Sequence, residues 1–238
     1  MKLAVIVPTY NEKENITILI NQLTEVFKQN KINGHIVVVD DNSPDGTGEI
    51  VKKIKNPIVN LVSREKRLGL GTAYIAGMKY SIQNLNANLI MTMDSDFSHN
   101  PKYIPNFIKK INKGYDVVFG SRYVKGGGTY KWGIHRKIIS KSANILAKLV
   151  LNLKTNDNTT GFRCYKKKVL ETIDLDKIFS NGYSFLVEIS FLCKKQNFKI
   201  GEIPILFVDR KYGETKISRK EIFKTIHTLL RLRLKNIF

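Results

Sequence analysis

The segment HIVVVDDNSPDGT (35–47) joins an apolar run to two adjacent acids and then to a turn-forming stretch. Similar runs precede and follow it, at LAVIV (3–7), IVNLV (58–62), LIMTM (89–93) and DVVFG (116–120). These runs are mostly apolar and do not alternate with polar residues, a pattern typical of strands that are buried on both faces of a parallel sheet.

The segments between these runs have helical spacing. After the first run, apolar residues recur at intervals of three and four and predict an amphipathic helix of about four turns, formed by Ile16, Leu19, Ile20, Leu23, Val26 and Phe27. Strands that alternate with helices predict an α/β fold, in which a mainly parallel sheet is flanked by helices in a Rossmann-like, nucleotide-binding architecture.

The pattern changes after about residue 120. A glycine-rich loop at 126–128 precedes a predicted helix at about 136–153 and a predicted strand, EIPILFV (202–208). The segment 218–235 has apolar residues on one face and Lys and Arg elsewhere, which predicts a basic amphipathic helix. Such a helix either lies on an anionic membrane or docks on the protein core with its basic face in water.

The composition limits the class of protein. With 238 residues, of which 42% are hydrophobic and 25% charged, the chain is long enough for a folded α/β domain with an extension, and a peptide hormone or a disulfide-stapled miniprotein is excluded. The formal net charge of +20 predicts an anionic partner, either nucleic acid, a membrane surface or a phosphorylated small molecule. The alternative is a basic, solvated surface without a partner.

Cysteine usage and hydropathy indicate where the protein functions. Cys164 and Cys193 form no CxxC pair or Cys/His cluster, so we expect buried thiols and a reducing compartment. The apolar run at 3–7 is shorter than the core of a signal peptide, which needs about 7–15 residues, and no apolar run approaches the roughly 20 residues of a membrane span.

Acidic residues follow several of the predicted strands, where ligands of parallel sheets bind. The clearest case is Asp94-Ser95-Asp96, because side chains at i and i+2 of an extended segment point the same way. Two carboxylates there suit Mg²⁺ or Mn²⁺ shared with substrate phosphates, and loop capping is the alternative. His99, which lies nearby, is a ligand, a proton carrier or only a loop residue.

Basic residues are scattered over the second half of the chain. Single cations from separate segments favour an anion pocket over a nucleic-acid surface, and they are Arg122, Arg136, Arg163, Arg210 and Lys216. The glycine-rich segment 68–73 lacks the spacing of a phosphate loop and is predicted to be a close-packing turn between a helix and a strand.

Eight motifs, in order, resemble those of the dolichol-phosphate mannose synthases. They are PTYNE (8–12), VVVDDNSPDGT (37–47), REKRLGLGTAY (64–74), DSDFSHNP (94–101), GSRYVKGGG (120–128), RKIISKSAN (136–144), TTGFRCYKK (159–167) and FVDRKYGETK (207–216). Members of this family are inverting GT-A-fold, family 2 glycosyltransferases. The resemblance implies metal-dependent transfer of mannose from GDP-mannose to dolichyl or polyprenyl phosphate, with inversion.

The resemblance also implies roles for individual residues. Asp94 and Asp96 would hold Mg²⁺ or Mn²⁺, while Arg122, Arg136 and Ser140 would bind the acceptor phosphate. The catalytic residues would be Asp96, Arg122 and Arg210. The nucleotide sugar would contact Pro8, Tyr10, Glu12, Val38, Asp40, Asp94, Ser95, Asp96, Arg122, Arg210 and Lys216. Because the family often has Gln or Ser at the position of Ser98, a third protein ligand to the metal stays open.

The implied domain is a GT-A unit over 1–217, with its nucleotide part at about 1–120 and its acceptor part at about 121–217, followed by the helical segment 218–238. We expect a cytoplasmic protein, peripheral on the cytoplasmic face of a membrane, which reaches its lipid through a basic helix or a small membrane subunit. The open alternatives are UDP-glucose or UDP-N-acetylglucosamine as donor, a nucleotidylyltransferase, and a nucleic-acid-binding protein. Carboxylates at several strand ends favour the transferase.

Overall fold

A seven-stranded sheet forms the centre of the computed structural model, which describes residues 1–182, 184–209 and 219–234. The strands are β1 (Lys2–Thr9), β2 (Asn33–Asp40), β3 (Val59–Ser63), β4 (Leu89–Thr92), β5 (Val117–Ser121), β6 (Gly128–Tyr130), β7 (Arg163–Lys166), β8 (Ile200–Pro204) and β9 (Leu206–Val208). The order across the sheet is β3-β2-β1-β4-β7-β5-β8, and β6 pairs with β9 in a small second sheet.

Helices cover both faces of the central sheet. The helices are α1 (Lys13–Gln29), α2 (Thr47–Lys52), α3 (Leu70–Gln83), α4 (Ile104–Asn112), α5 (Ile134–Leu151), α6 (Lys167–Thr172), α7 (Ser184–Lys195) and α8 (Arg219–Leu234). Of these, α5 and α8 pack against α7 in a separate apolar cluster. Alternate side chains of β1 pack into the two apolar cores on opposite faces of the sheet. Val5 belongs to the core shared with α1 and α4, whereas Ile6 belongs to the core shared with α3 and α7.

The predicted α/β fold with a mainly parallel sheet is confirmed. The first four strands pair in parallel, and the register places Thr9 of β1 opposite Asp40 of β2. The predicted helix at 136–153 is α5, and the predicted terminal helix includes α8. Cys164 and Cys193 are free, buried thiols, as expected. The division of the chain at residues 120 and 217 stays a prediction.

Several features of the sheet differ from the sequence analysis. β7 was not predicted, and it runs antiparallel between β4 and β5. The segment EIPILFV is not one strand, because β8 ends at Pro204 and the chain continues in the second sheet as β9. The Ile205 N–H still donates to the Ser121 carbonyl oxygen at 3.1 Å, while the Ile205 carbonyl oxygen accepts from the Gly128 N–H at 3.0 Å, so the chain passes from the first sheet to the second at Ile205. The segment 68–73 leads into α3, where Gly71 lies against Phe185 of α7 and Ala73 packs in the core shared with β1 and β2.

Gly77 lets α3 lie close to the sheet. A Cβ atom at this position would come within 2.4 Å of Ile6 Cγ2 and 3.1 Å of Val39 Cγ2, and both of these side chains are fully buried. The absence of a side chain at Gly77 therefore sets the distance between helix and sheet in this layer.

We expect Gly77→Ala to lower the free energy of unfolding by about 1–3 kcal/mol, because overpacking outweighs the better helix propensity of alanine. Chemical denaturation measures the change. Gly128→Ala is the control, since its Cβ would meet only Leu206 Cδ1 at 3.6 Å. Equal stability of the two variants would contradict the packing argument.

Candidate active site

The carboxyl ends of β1, β2 and β4 form one rim, because these strands are neighbours in the sheet. The rim carries most of the residues that the resemblance assigned to the nucleotide sugar. Pro8 lies in β1, Tyr10 and Glu12 follow it, Asp40 ends β2, and Asp94, Ser95 and Asp96 follow β4. Val38 is the exception, because its side chain is fully buried in the core between Val7 and Leu61 on the neighbouring strands.

The two acids at the end of β2 are already hydrogen-bonded within the protein. Asp40 accepts hydrogen bonds from Thr9 Oγ1 at 2.8 Å and from the Ser43 N–H at 3.0 Å. Asp41 pairs with Arg64, whose Nε lies 2.6 Å from Asp41 Oδ1. Both carboxylates therefore brace the loops of the rim, and the nucleotide contact of Asp40 stays a prediction.

Tyr10 and Glu12 lie half-buried at the entrance to α1. The guanidinium Cζ of Arg67 lies 4.4 Å from the centre of the Tyr10 ring, and Glu12 Oε2 accepts a hydrogen bond from Asn15 Nδ2 at 2.7 Å. Arg67 therefore covers one face of the Tyr10 ring, and the contact of Tyr10 with the nucleotide sugar stays a prediction.

The Asp94-Ser95-Asp96 segment is held in a defined orientation. Tyr74 donates a hydrogen bond from its hydroxyl to Asp94 Oδ1 at 2.9 Å, and Asp96 Oδ1 accepts from the Ser98 N–H at 3.1 Å and from Ser98 Oγ at 2.5 Å. Phe97 has a φ of 62°, which turns the chain sharply after the second acid. Within the described ranges, no group of three His, Cys, Asp or Glu side chains forms a metal cluster.

The buried side chain of His99 is hydrogen-bonded to the Asp94-Ser95-Asp96 segment. Its Nδ1 accepts a hydrogen bond from the Asp94 N–H at 2.9 Å, and its ring stacks on Phe162 with centroids 5.0 Å apart. Burial lowers the pKa of His99, although the charges of Asp94 and Asp96 oppose the shift. The neutral ring then carries its proton on Nε2. This geometry gives His99 a positioning role, which the three interpretations drawn from the sequence did not include.

A cavity of about 910 Å³ adjoins the rim and brings four of the predicted residues together. Asp94, Arg122, Arg136 and Ser140, which come from three separate segments of the chain, all line it. Its remaining wall is largely apolar and comes mainly from α5 and α8, with Ile138, Ile139, Ile145, Leu146, Leu149, Ile226 and Leu229. One end of the cavity is therefore charged, and a long side of it is apolar.

Arg122 is fixed in this cavity by a buried carboxylate. Its Nε and Nη2 each donate a hydrogen bond to Asp157 at 2.7 Å, and Nη2 also donates to Thr159 Oγ1 at 2.8 Å. Asp157 is 0% exposed. Burial alone would lower the pKa of Arg122 and raise that of Asp157, but each charge outweighs this effect on its partner and keeps the pair ionised.

The loop that carries Asp157 is itself tied to β8. Glu202 accepts hydrogen bonds from the backbone N–H groups of Asn156 at 2.9 Å and Asp157 at 3.0 Å. Arg163 of β7 is fully buried and donates to the carbonyl oxygens of Asn158 and Thr160. Arg163 is therefore a structural cation and does not line the anion pocket predicted from the sequence.

Arg136 and Ser140 lie on the first turns of α5. Arg136 Nη1 donates to Asp209 Oδ1 at 2.7 Å, and Ser140 Oγ accepts a hydrogen bond from the Tyr123 hydroxyl at 2.7 Å. Arg210 and Lys216 lie outside the described residues. Their predicted contacts with the sugar diphosphate stay predictions.

Comparison with known proteins identifies the family. The profile of glycosyl transferase family 2 matches residues 4–174. The chain belongs to glycosyl transferase family 2. It is 35% identical to the polyprenol monophosphomannose synthase of Mycolicibacterium smegmatis over 97% of this chain and 88% of that protein. It is 36% identical to the undecaprenyl-phosphate mannosyltransferase of Micrococcus luteus over 92% of this chain and 88% of that protein. The resemblance drawn from the motifs is confirmed.

Solved structures confirm the GT-A fold of this glycosyltransferase. The mannosyl-3-phosphoglycerate synthase of Rubrobacter xylanophilus superimposes with a TM-score of 0.72 at 15% identity, over 100% of this chain and 74% of that chain. The glucosyl-3-phosphoglycerate synthase of Mycobacterium tuberculosis, solved with Mn²⁺, UDP and phosphoglyceric acid, gives a TM-score of 0.70 at 17% identity, over 98% and 78% of the two chains.

The sequence analysis missed three residues that shape the transferase site. Tyr74 orients Asp94, Asp157 pairs with Arg122, and Trp132 lines the cavity. Asp157 lies two positions before a quoted motif, but its partner lies 35 positions away, and spacing gave no signal for the pair. One signal for Trp132 was present in the sequence, since it is the single tryptophan of the chain.

We expect Asp157→Asn to lower the free energy of unfolding of the glycosyltransferase by about 3–5 kcal/mol, because it leaves the buried charge of Arg122 unmatched. Asp176→Asn is the matched control. It removes the partner of Lys79 from a pair whose carboxylate is 76% exposed, and we expect a change within about 1 kcal/mol. Denaturant titration of both variants tests this, and similar losses would refute the buried-pair argument.

Proposed function

We propose that this glycosyltransferase moves mannose from GDP-mannose to the phosphate of a polyprenyl phosphate, with inversion at the anomeric carbon. The cavity carries the proposal. Its charged end, with Arg122 and Arg136, suits a phosphate, and its apolar wall on α5 and α8 suits the hydrocarbon chain attached to that phosphate. The names of the two curated relatives specify mannose and a polyprenyl phosphate acceptor, which supports the same substrates here.

The acceptor needs positioning more than deprotonation. A phosphate monoester has a second pKa of about 6 and carries its nucleophilic charge at neutral pH. Arg122, Arg136 and Ser140 bind it and align one oxygen with the anomeric carbon. That oxygen forms the new bond to C1 as the bond from C1 to the GDP oxygen breaks, and the electron pair leaves with GDP. One displacement converts an α-linked donor into a β-linked product.

Asp94 and Asp96 fit a divalent cation. Both offer carboxylate oxygens, which Mg²⁺ and Mn²⁺ prefer, and Asp94 lines the cavity with 32% of its side chain exposed. Two protein ligands leave coordination positions for substrate phosphates. Mg²⁺ or Mn²⁺ bound there would neutralise charge on the departing diphosphate. On the proposed assignment, Arg210 and Lys216 contribute to the same neutralisation, and Tyr10, Glu12 and Asp40 hold the guanosine.

The exposed face of α5 and α8 suits a lipid surface. Large apolar side chains on this face are 40–73% exposed, namely Ile134, Ile138, Ile139, Ile145, Leu146, Leu149, Ile226, Leu230 and Leu234. Lys137, Lys141 and Arg233 are exposed on the same helices. Among the described residues, no helix has both the length and the apolarity needed to cross a bilayer. We therefore propose peripheral binding to the cytoplasmic face of an anionic membrane, directly or with a small membrane subunit.

Transfer of labelled sugar into an organic-extractable polyprenyl phosphate tests the activity. We expect label from GDP-mannose with Mg²⁺ or Mn²⁺, loss of label with EDTA, and a fall of at least about 100-fold in kcat for Asp96→Asn, which removes a metal ligand. Asp176→Asn is the control, and circular dichroism checks the fold of both variants. Label only from UDP-glucose or UDP-N-acetylglucosamine would refute GDP-mannose as the donor. Full activity of Asp96→Asn would refute the metal assignment.

Vesicle co-sedimentation tests the lipid surface. We expect Ile138→Ser/Leu149→Ser to bind vesicles of phosphatidylglycerol at least about tenfold more weakly than the wild type, because two apolar side chains no longer enter the lipid. Ile18→Ser is the control, since Ile18 is 51% exposed on α1. Equal binding by all three proteins, or equal binding of the wild type to uncharged phosphatidylcholine vesicles, would contradict this surface.

A further inference from the structure

Trp132 is a buried aromatic residue at the charged end of the cavity. It lies two residues before α5, is 6% exposed and lines the cavity. Its indole Nε1 is buried and makes no hydrogen bond to any side chain or backbone group in residues 1–182, 184–209 and 219–234. Buried donors in folded proteins are nearly always paired with protein groups, water or a ligand, so this N–H on the cavity wall is available to a ligand that enters the cavity.

Two guanidinium groups contact the Trp132 ring. The Cζ atom of Arg136 lies 4.1 Å from the centre of the ring, and that of Arg122 lies 5.3 Å away. The two cations repel each other, and each is attracted to the ring face. Trp132 therefore helps to hold two arginines, from different segments of the chain, near one another.

Arg136 supplies a second buried donor at this end of the cavity. Its Nε is buried and has no hydrogen-bond partner within the described part of the chain, while its Nη1 is bound to Asp209. Arg136 Nε and Trp132 Nε1 belong to side chains in direct contact. Each oxygen of a phosphate monoester accepts hydrogen bonds from such donors, and bonds to charged acceptors are the stronger ones.

We infer that Trp132 is an acceptor-binding residue: its indole N–H donates a hydrogen bond to the phosphate of the acceptor, and its ring keeps Arg122 and Arg136 at that phosphate. The inference rests on the proposed function, which places a phosphate monoester at the charged end of the cavity. Beside the two arginines, Trp132 Nε1 is then a neutral donor that serves the acceptor and is not needed by the nucleotide sugar.

Kinetics of two substitutions separate the N–H from the ring. Trp132→Phe keeps an aromatic face and removes the donor, so we expect KM for the polyprenyl phosphate to rise about tenfold or more and KM for GDP-mannose to change less than about twofold. Trp132→Leu removes the ring as well and should lower kcat in addition. Tyr130→Phe is the control, because Tyr130 is 54% exposed in β6. Wild-type KM values for Trp132→Phe would overturn the inference.

Binding has an independent readout, because Trp132 is the chain's single tryptophan. We expect farnesyl phosphate to change the tryptophan emission of the wild type in a saturable way, and farnesol, which lacks the phosphate, to leave it unchanged. No change at concentrations that support transfer to farnesyl phosphate would overturn the role of Trp132 alone. Absence of wild-type transfer to any polyprenyl phosphate would overturn the proposed function, and this inference with it.

Discussion

A charge that is removed from water must be matched by another charge, and the site depends on one such match between Arg122 and Asp157. Arg122 follows β5, and Asp157 lies in the loop before β7, so the pair joins two neighbouring strands at the edge where ligands bind. Glu202 ties the same loop to β8. Buried ion pairs add little net stability but are costly to break. This pair therefore fixes geometry at the charged end of the cavity.

The surroundings of that pair divide the cavity into two chemical environments. Carboxylates hold both arginines, since Arg136 pairs with Asp209 as Arg122 does with Asp157. These carboxylates reduce the positive charge that a ligand in the cavity meets, and they fix the directions in which the guanidinium groups can donate. The net charge of +20 is a property of the whole chain and has no such direction. The wall formed by α5 and α8 is mostly apolar, with Ile138, Leu149 and Leu229 among its residues. On the proposed function, this division orients an amphipathic acceptor before any reaction begins.

The sequence predicted the features that follow from local patterns. Buried parallel strands appear as uniform apolar runs, and the ends of parallel strands lie along one edge, so the position of Asp94 and Asp96 on the rim was recognisable. Features that depend on distant partners were not recognisable. β7 contains Arg163, whose charge is satisfied by carbonyl oxygens that only the folded chain supplies, and the segment RCYK therefore has no apolar run. The break after Pro204 depends on the second sheet, which spacing cannot show.

The antiparallel insertion of β7 has a consequence for biosynthesis. The chain emerges from the ribosome with β1 to β4 first, and these strands pair through short crossovers. One edge of β4 is then unpaired until residue 166 has been made, because β7 is its partner on that side. Unpaired apolar edges pair readily with other chains. This edge of the nascent sheet therefore lacks its native partner while residues 93–166 are being synthesised, and in that interval it is open to pairing with another chain.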